Sequence, residues 1–284
     1  MIYTHQRILS RLPASLRSLI LKASGFLGYF RVQAPVTSLL GPQYRRSRVF
    51  VEIDLTWSCN LRCYNCNRSC EQAPTSERMD AKQIKRFVKE SIATNQQWEL
   101  IRVLGGEPTL HPEFFTIIDT LLDWQRSHSP NTKIELVTNG FGQKVQKAIK
   151  RLPPEIIVDN TFKDSRVQPF MTFNVAPDDC PEYSNANYTN GCLVTKWAGI
   201  GLTPYGWYPC AVAGGIDRII GLDIGRKSMP TSEDDMFDQM NVFCRLCGLF
   251  KRRYEKSPDG PVMSKSWKEA YKQHREAPSK LTRY

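Results

Sequence analysis

The chain has 284 residues, 41% hydrophobic and 24% charged, with 39 Lys and Arg against 28 Asp and Glu and a net charge of +11. That length affords an ample core for one α/β domain with a small appendage, and no apolar run reaches the roughly eighteen residues needed to span a bilayer. Arg7, Arg11, Pro13 and Arg17 break the most apolar N-terminal stretch, which argues against a secretory signal and for a cytoplasmic protein. In that reducing compartment nine cysteines, an odd number, read as metal ligands rather than as a disulfide framework. Basic clusters lie at Arg45, Arg46 and Arg48, at Lys144, Lys147, Lys150 and Arg151, and at Lys251, Arg252 and Arg253, with no nucleic-acid-binding motif among them. Solvated helix faces and an acidic redox partner are therefore expected ahead of nucleic acid.

Residues 1–48 form a basic extension in which Ile8, Leu9, Leu12, Leu16, Leu19, Ile20 and Leu27 fall at roughly helical spacing, interrupted by Pro13. The spacing predicts a helix packed on the main domain, with a membrane-surface helix, and so peripheral membrane contact, as the alternative. From residue 49 β-like and helix-like segments alternate, the pattern of parallel strands joined by crossover helices. Strands are predicted at Val49–Leu55, Leu100–Leu104, Lys133–Thr138, Glu155–Val158 and Phe170–Val175, and helices near Asp80–Thr94, Pro112–Trp124 and Gln143–Leu152. Asp80 is placed to cap the first of these helices, and Ile84, Phe87, Val88 and Ile92 form its apolar stripe. After about residue 177 the alternation stops in a segment rich in Asn, Gly, Pro and Cys, with a hairpin-like Gly199–Tyr208, and Ser264–Arg275 reads as a basic surface helix. The expected division is 1–48, a barrel core over 49–176, a Cys-rich unit over 177–250 and a tail over 251–284.

Cys59, Cys63 and Cys66 follow directly on the first predicted strand. Three thiolates at gaps of three and two can hold three corners of a cubane and leave one iron open, whereas zinc needs a fourth ligand, usually as two C-x2-C pairs. The loop resembles the signature of the radical S-adenosylmethionine (SAM) superfamily, with Asn65 where that family usually has an apolar or aromatic residue. Gly105-Gly106-Glu107-Pro108 resembles its GGEP motif, and Thr138 and Asn139 end the third strand where such enzymes place polar groups near the ribose and methionine carboxylate. The resemblance implies a partial (βα)6-type TIM barrel and a [4Fe–4S] cluster whose open iron chelates SAM. It also implies reductive cleavage to a 5′-deoxyadenosyl radical that abstracts a substrate hydrogen, with Glu107 receiving the SAM ammonium. His111 reads as a structural loop histidine.

Cys192, Cys210, Cys244 and Cys247 come after the barrel and could bind structural zinc or a closed Fe–S cluster; spacing alone does not choose. Their arrangement around a hairpin with Gly201 and Gly206 resembles the twitch or SPASM-like domain of aminocyclitol radical SAM dehydrogenases, which implies an auxiliary [4Fe–4S] cluster. A closed cluster suits electron transfer, so the expected reaction is oxidation of a polar small molecule such as an aminocyclitol, sugar or amino acid derivative, with an acidic flavodoxin or ferredoxin as electron donor. Modification of a peptide substrate and epimerisation are the enzymatic alternatives, and a non-catalytic zinc-braced RNA-binding protein is the alternative from another class. Cys70 and Cys180 are left over as small buried hydrophobes or, in an epimerase, as candidate hydrogen donors.

Overall fold

The computed structural model describes residues 13–251 and 260–284. Ile8, Leu9, Leu12, Arg252 and Arg253 lie outside the described residues. Two helices come first, α1 (Ala14–Arg31) and α2 (Ala34–Leu40). Then β1 (Phe50–Thr56), α3 (Ala81–Ala93), β2 (Leu100–Gly105), α4 (Phe114–His128), β3 (Lys133–Thr138), α5 (Gln143–Lys150) and β4 (Ile157–Asn160) alternate. The remainder holds α6 (Leu193–Trp197), β5 (Ile200–Thr203), β6 (Gly206–Tyr208), α7 (Ala211–Ile220), α8 (Phe237–Phe243) and α9 (Lys265–Glu276).

The six strands form one sheet in the order β4-β3-β2-β1-β5-β6, parallel throughout except for the antiparallel β5–β6 hairpin. This is a mixed α/β fold of the partial TIM-barrel kind. Strand alternation decides its two faces. Val51, Ile53 and Leu55 of β1 join Ile84 and Phe87 of α3 and Ile117 and Leu121 of α4 in the main core. The opposite parity puts charge on the other face: Glu52 stands in register with Arg102 on β2, and Arg102 with Glu135 on β3. Arg102 donates to both carboxylates, at 3.3 Å to Glu52 and 2.6 Å to Glu135. Asp80 caps α3 as expected, accepting from the Gln83 N–H at 2.9 Å while the Gln83 side chain accepts from the Asp80 N–H at 3.1 Å.

Several expectations are corrected by packing. The sheet does not end at residue 176, because β5 pairs in parallel with β1 from Val51↔Ile200 to Ile53↔Leu202 and covers an edge that would otherwise expose unpaired backbone. A Cβ on Gly201 would collide with the backbone of Ala211, so α7 lies against the same face of the sheet as Glu52, and Ala211–Ile219 are buried all round. Phe170–Val175 is no strand. Its carbonyls are taken by loops, with Gly248 donating to Phe173 at 2.8 Å and Ser264 to Asn174 at 2.9 Å, while the Phe173 ring packs on Trp267. The tail helix α9 lies on the surface as expected, with its lysines outside and Trp267, Ala270 and Tyr271 buried on one face. Ile92 is exposed, and on the N-terminal helix Leu16 and Leu27 face solvent while the Tyr29 ring packs against Tyr183.

His111 is a structural histidine. One ring nitrogen donates to the Met79 carbonyl at 2.6 Å and the other accepts from the Glu113 N–H at 3.0 Å, an arrangement that only neutral imidazole satisfies. Burial holds its pKa below the ordinary value. The unfolded chain therefore binds a proton more readily, and this contribution to stability is lost as the pH falls through the ordinary imidazole range, about 6.5. Asp54, pushed up to about 6 by burial, acts in the opposite sense, gaining protons in the fold as the pH falls. The difference between wild type and His111→Asn isolates the histidine. The urea midpoint of wild type should fall relative to that of the variant between about pH 7 and about pH 5, and parallel midpoints would contradict the neutral assignment.

Candidate functional site

The loop after β1 leaves the C-terminal end of the sheet, the rim where barrel chemistry occurs. Its backbone is tied to a second segment: Arg62 donates to Arg166 at 2.6 Å and Tyr64 to Gln168 at 2.8 Å. Cys59, Cys63 and Cys66 are all partly exposed on this loop. Cys59 Sγ accepts from the Leu61 N–H at 3.4 Å and the Asn139 side-chain amide at 3.8 Å, and burial pushes its pKa up to about 12. Burial also raises Cys63, to about 11. Cys66 moves the other way, to about 6, first because the Cys70 thiol hydrogen-bonds to it and then, against burial, because backbone N–H groups of Cys70 and Arg68 face it. Asn65 holds φ at 56°, a left-handed conformation that Asn tolerates better than an aromatic residue. Three thiols on one tethered loop are a donor set that fits three corners of a cubane.

The ends of β2 and β3 close on this loop. Gly106 donates to the Thr56 carbonyl at 2.6 Å and Glu107 to that of Ser58 at 2.9 Å. A Cβ on Gly105 would collide with the Thr56 carbonyl, and one on Gly106 with that of Ser58, so the paired glycines serve a close approach to the chain itself. Pro108 starts a short 3-10 turn. Glu107 is fully buried, and its carboxylate accepts from Thr109 N–H at 3.2 Å, Thr109 Oγ1 at 2.6 Å, Thr138 Oγ1 at 2.9 Å and Asn139 N–H at 2.9 Å. It clasps β2 to β3, and an arriving ammonium must take over one of these bonds. Asn139 reaches the cysteine loop, donating to Asn60 Oδ1 at 2.8 Å.

The four later cysteines are gathered from distant turns. Cys192 precedes α6, Cys210 precedes α7, Cys244 ends α8 and Cys247 follows it; all four are buried and line one apolar cavity with Val212, Ile216 and Phe250. Burial raises Cys210 to about 12 and Cys244 and Cys247 well above the ordinary thiol value, with mutual repulsion among the thiolates adding to it. Among the described residues, no three His, Cys, Asp or Glu side chains are drawn together closely enough to hold a single metal ion. A cubane, whose ligand sulfurs sit on separate irons, does not need that closeness.

Composition and spacing gave no sign of Arg68 or Arg218. Arg68 is buried between Glu52, 2.9 Å away, and Asp54, 3.2 Å away. Arg218 of α7 donates to the carbonyls of Ala73 at 2.9 Å, Arg68 at 3.0 Å and Ser69 at 3.3 Å, and its guanidinium lies 5.0 Å from the Trp57 ring centre. The helix that starts at Cys210 is thereby fastened to the loop that carries Cys66. An arginine inside the apolar run Ala211–Ile220 was the available signal. Cys70 is buried and, with Cys59, Arg62, Glu71 and Arg166, lines a cavity of about 580 Å³ beside the loop. Cys180 is half-buried against the cluster containing Cys192 and Cys244, with its Sγ 3.4 Å from the Ala176 carbonyl and 3.7 Å from Lys251 Nζ.

Residues 54–158 match the family model of the radical SAM superfamily, and that match supports the [4Fe–4S] cluster and SAM expected from the cysteine loop. One curated relative is a GTP 3′,8-cyclase of Haemophilus ducreyi, 31% identical over 101 residues, 35% of this chain and 28% of the cyclase. Another is the human molybdenum cofactor biosynthesis protein 1, 30% identical over 129 residues, 43% of this chain and 18% of that protein. The chain thus matches less than a third of either relative's length, and neither is named as a dehydrogenase. Among solved structures it is similar to BtrN in complex with AdoMet and 2-DOIA, at TM-score 0.42 and 12% identity over 77% of this chain and 96% of that one.

Glu107→Gln should expose both roles of this carboxylate. The amide would set a donor against an N–H of Thr109 or Asn139, lowering the stability of the iron-free chain by about 1–3 kcal/mol in equilibrium unfolding. Titration calorimetry of the reconstituted variant should show SAM binding weakened by a further amount on the order of 1.5–3 kcal/mol. Unchanged stability would contradict the clasp, and unchanged SAM affinity would contradict the role that the family resemblance assigns.

Proposed function

We propose that Cys59, Cys63 and Cys66 hold the SAM-binding cluster, that Cys192, Cys210, Cys244 and Cys247 hold an auxiliary [4Fe–4S] cluster, and that the chain oxidises a polar small molecule. The observation that carries this reading is the contrast between the two sets and the helix between them. The first set is partly exposed at the strand ends, where SAM and an electron donor have access; the second is sealed in apolar surroundings. Helix α7 runs from Cys210 to the Arg218 contacts on the first cysteine loop, so the two sets share one packed interior.

A cubane with one open iron supplies the electron that breaks the sulfonium of SAM into methionine and a 5′-deoxyadenosyl radical. The chain's own part is to position and to shield. Glu107, Thr138 and Asn139 fix the strand ends beside the loop, with Gly105, Gly106 and Pro108 giving the turn its close approach. Arg62 and Arg166 beside the 580 Å³ cavity supply positive charge for an acidic flavodoxin or ferredoxin. Loss of a hydrogen atom from an alcohol-bearing carbon and of the proton from its hydroxyl leaves one electron to be removed before the carbonyl is formed, and a closed cluster held by the second cysteine set would be a suitable acceptor for it. Residues 49–176 then serve as the SAM-cleaving core and 177–250 as the unit that takes the electron.

A second reading follows from the Haemophilus ducreyi relative, whose name describes cyclisation of GTP. It is tested with GTP as substrate, where a cyclised nucleotide in place of an oxidised small molecule would favour it.

With dithionite and SAM, the reconstituted chain should form 5′-deoxyadenosine, and Cys59→Ala, Cys63→Ala and Cys66→Ala should each abolish it. The pair Cys244→Ala and Cys247→Ala should keep 5′-deoxyadenosine formation while iron falls from about eight to about four per chain. Zinc without iron in the wild type, or full iron in the double variant, would sink the two-cluster reading.

A further inference from the structure

We propose that α1 and the end of α2 form a docking surface for an anionic membrane. Phe26, Leu27 and Phe30 are 65%, 66% and 55% exposed on α1, and Leu39 and Leu40 are 84% and 63% exposed at the end of α2. Leu16 is also exposed on α1; of the other exposed large apolar side chains among the described residues, four lie within 157–167 and three are isolated, and neither group adjoins an acid-free basic stretch of the sequence. The outward direction is fixed by the inner side of the same helix: the Tyr29 ring packs edge-on against Tyr183 at 6.0 Å, and Val32 is fully buried. These apolar side chains are therefore aimed away from the body of the molecule.

The charge of the same stretch selects the partner. Residues 1–51 contain no Asp or Glu and eight Lys and Arg. Four of the eight are bonded within the chain: Arg45 and Arg48 pair with Asp235, Arg46 donates to the Asp234 carbonyl at 2.5 Å, and Arg31 donates to Asn190 Oδ1 at 3.1 Å and to the Gly41 carbonyl at 2.6 Å. The remaining four, Arg7, Arg11, Arg17 and Lys22, all fall within the first 22 residues. An apolar face on a stretch of this charge is complementary to a bilayer surface of anionic lipid, where buried apolar area and Lys or Arg near the headgroups act together. A second copy of the chain is disfavoured as the occupant, because it would bring two acid-free basic stretches face to face. None of the described helices is long and apolar enough to cross the membrane, so the contact is with its surface.

The test is co-sedimentation of the full reconstituted chain with vesicles of phosphatidylcholine alone and of phosphatidylcholine mixed with phosphatidylglycerol. Partitioning should be at least about tenfold stronger on the mixed vesicles and should weaken as salt is raised. The triple variant Phe26→Ser, Leu27→Ser, Phe30→Ser should lose at least about tenfold of it with the charge unchanged. The pair Leu39→Glu and Leu40→Glu, on the most exposed positions, should weaken it too, and unchanged 5′-deoxyadenosine formation would certify the fold of each variant. No binding to mixed vesicles, equal binding to neutral ones, or wild-type binding by the triple variant overturns the proposal. A dimer in sedimentation velocity that the triple variant dissolves would assign the face to a second copy and overturn it as well.

Discussion

The structure turns on the burial of Arg68. Its guanidinium is enclosed between Glu52 and Asp54 of β1, with a second arginine, Arg102, bonded to the far oxygen of Glu52 and on to Glu135. Charges out of water are costly unless each is paired and hydrogen-bonded. The loop that follows β1 is thus drawn back over the sheet by its own arginine, two residues after Cys66. The cysteines that precede Arg68 are held near the strand ends by its pairing with Glu52 and Asp54.

A second set of contacts makes that loop part of a larger unit. Arg218 satisfies the carbonyls of Arg68, Ser69 and Ala73, and Tyr271 of α9 bonds Ser69 at 2.7 Å and Asn174 at 2.6 Å. Helices α7 and α9 therefore meet on the few residues after Cys66, and Tyr271 of α9 ties the 170s segment to them. Movement of one cysteine set relative to the other would break buried hydrogen bonds, each costing about 1–3 kcal/mol if left unmade. Rigid placement of this kind is what the proposed electron transfer between two clusters would require.

The core and the inner face of the sheet divide two kinds of work. The outer layer of Ile, Leu and Phe between β1, β2 and helices α3 and α4 supplies apolar burial, and the aromatic group of Phe87, Trp98 and Trp207 extends it to β6 with ring centres about 6 Å apart. The inner layer carries the ionised side chains. Strand alternation alone puts both on β1, one residue apart.

Local signals were sufficient for the first part of the chain. The strands at 50–56, 100–105 and 133–138 and the capping box at Asp80 are legible because each is fixed by neighbours a few residues away. The C-x3-C-x2-C loop and the Gly-Gly-Glu-Pro turn are legible for the same reason, being short segments whose spacing is itself the signal. What lay beyond reach depends on partners distant in the chain. The hairpin at 200–208 is visible as a hairpin, but only pairing with β1, some 150 residues earlier, makes it part of the same sheet. Phe170–Val175 has strand-like composition, yet Gly248 and Ser264 take its carbonyls. The sequence by itself determined the cysteine sets, the strand ends and the order of the elements, because covalent spacing sets them. Only the tertiary structure decided that Glu107 clasps two strands, that Arg68 and Arg218 hold the cysteine loop, and that α1 turns its phenylalanines outward. Burial and hydrogen bonding between distant segments exist only once the chain has closed on itself.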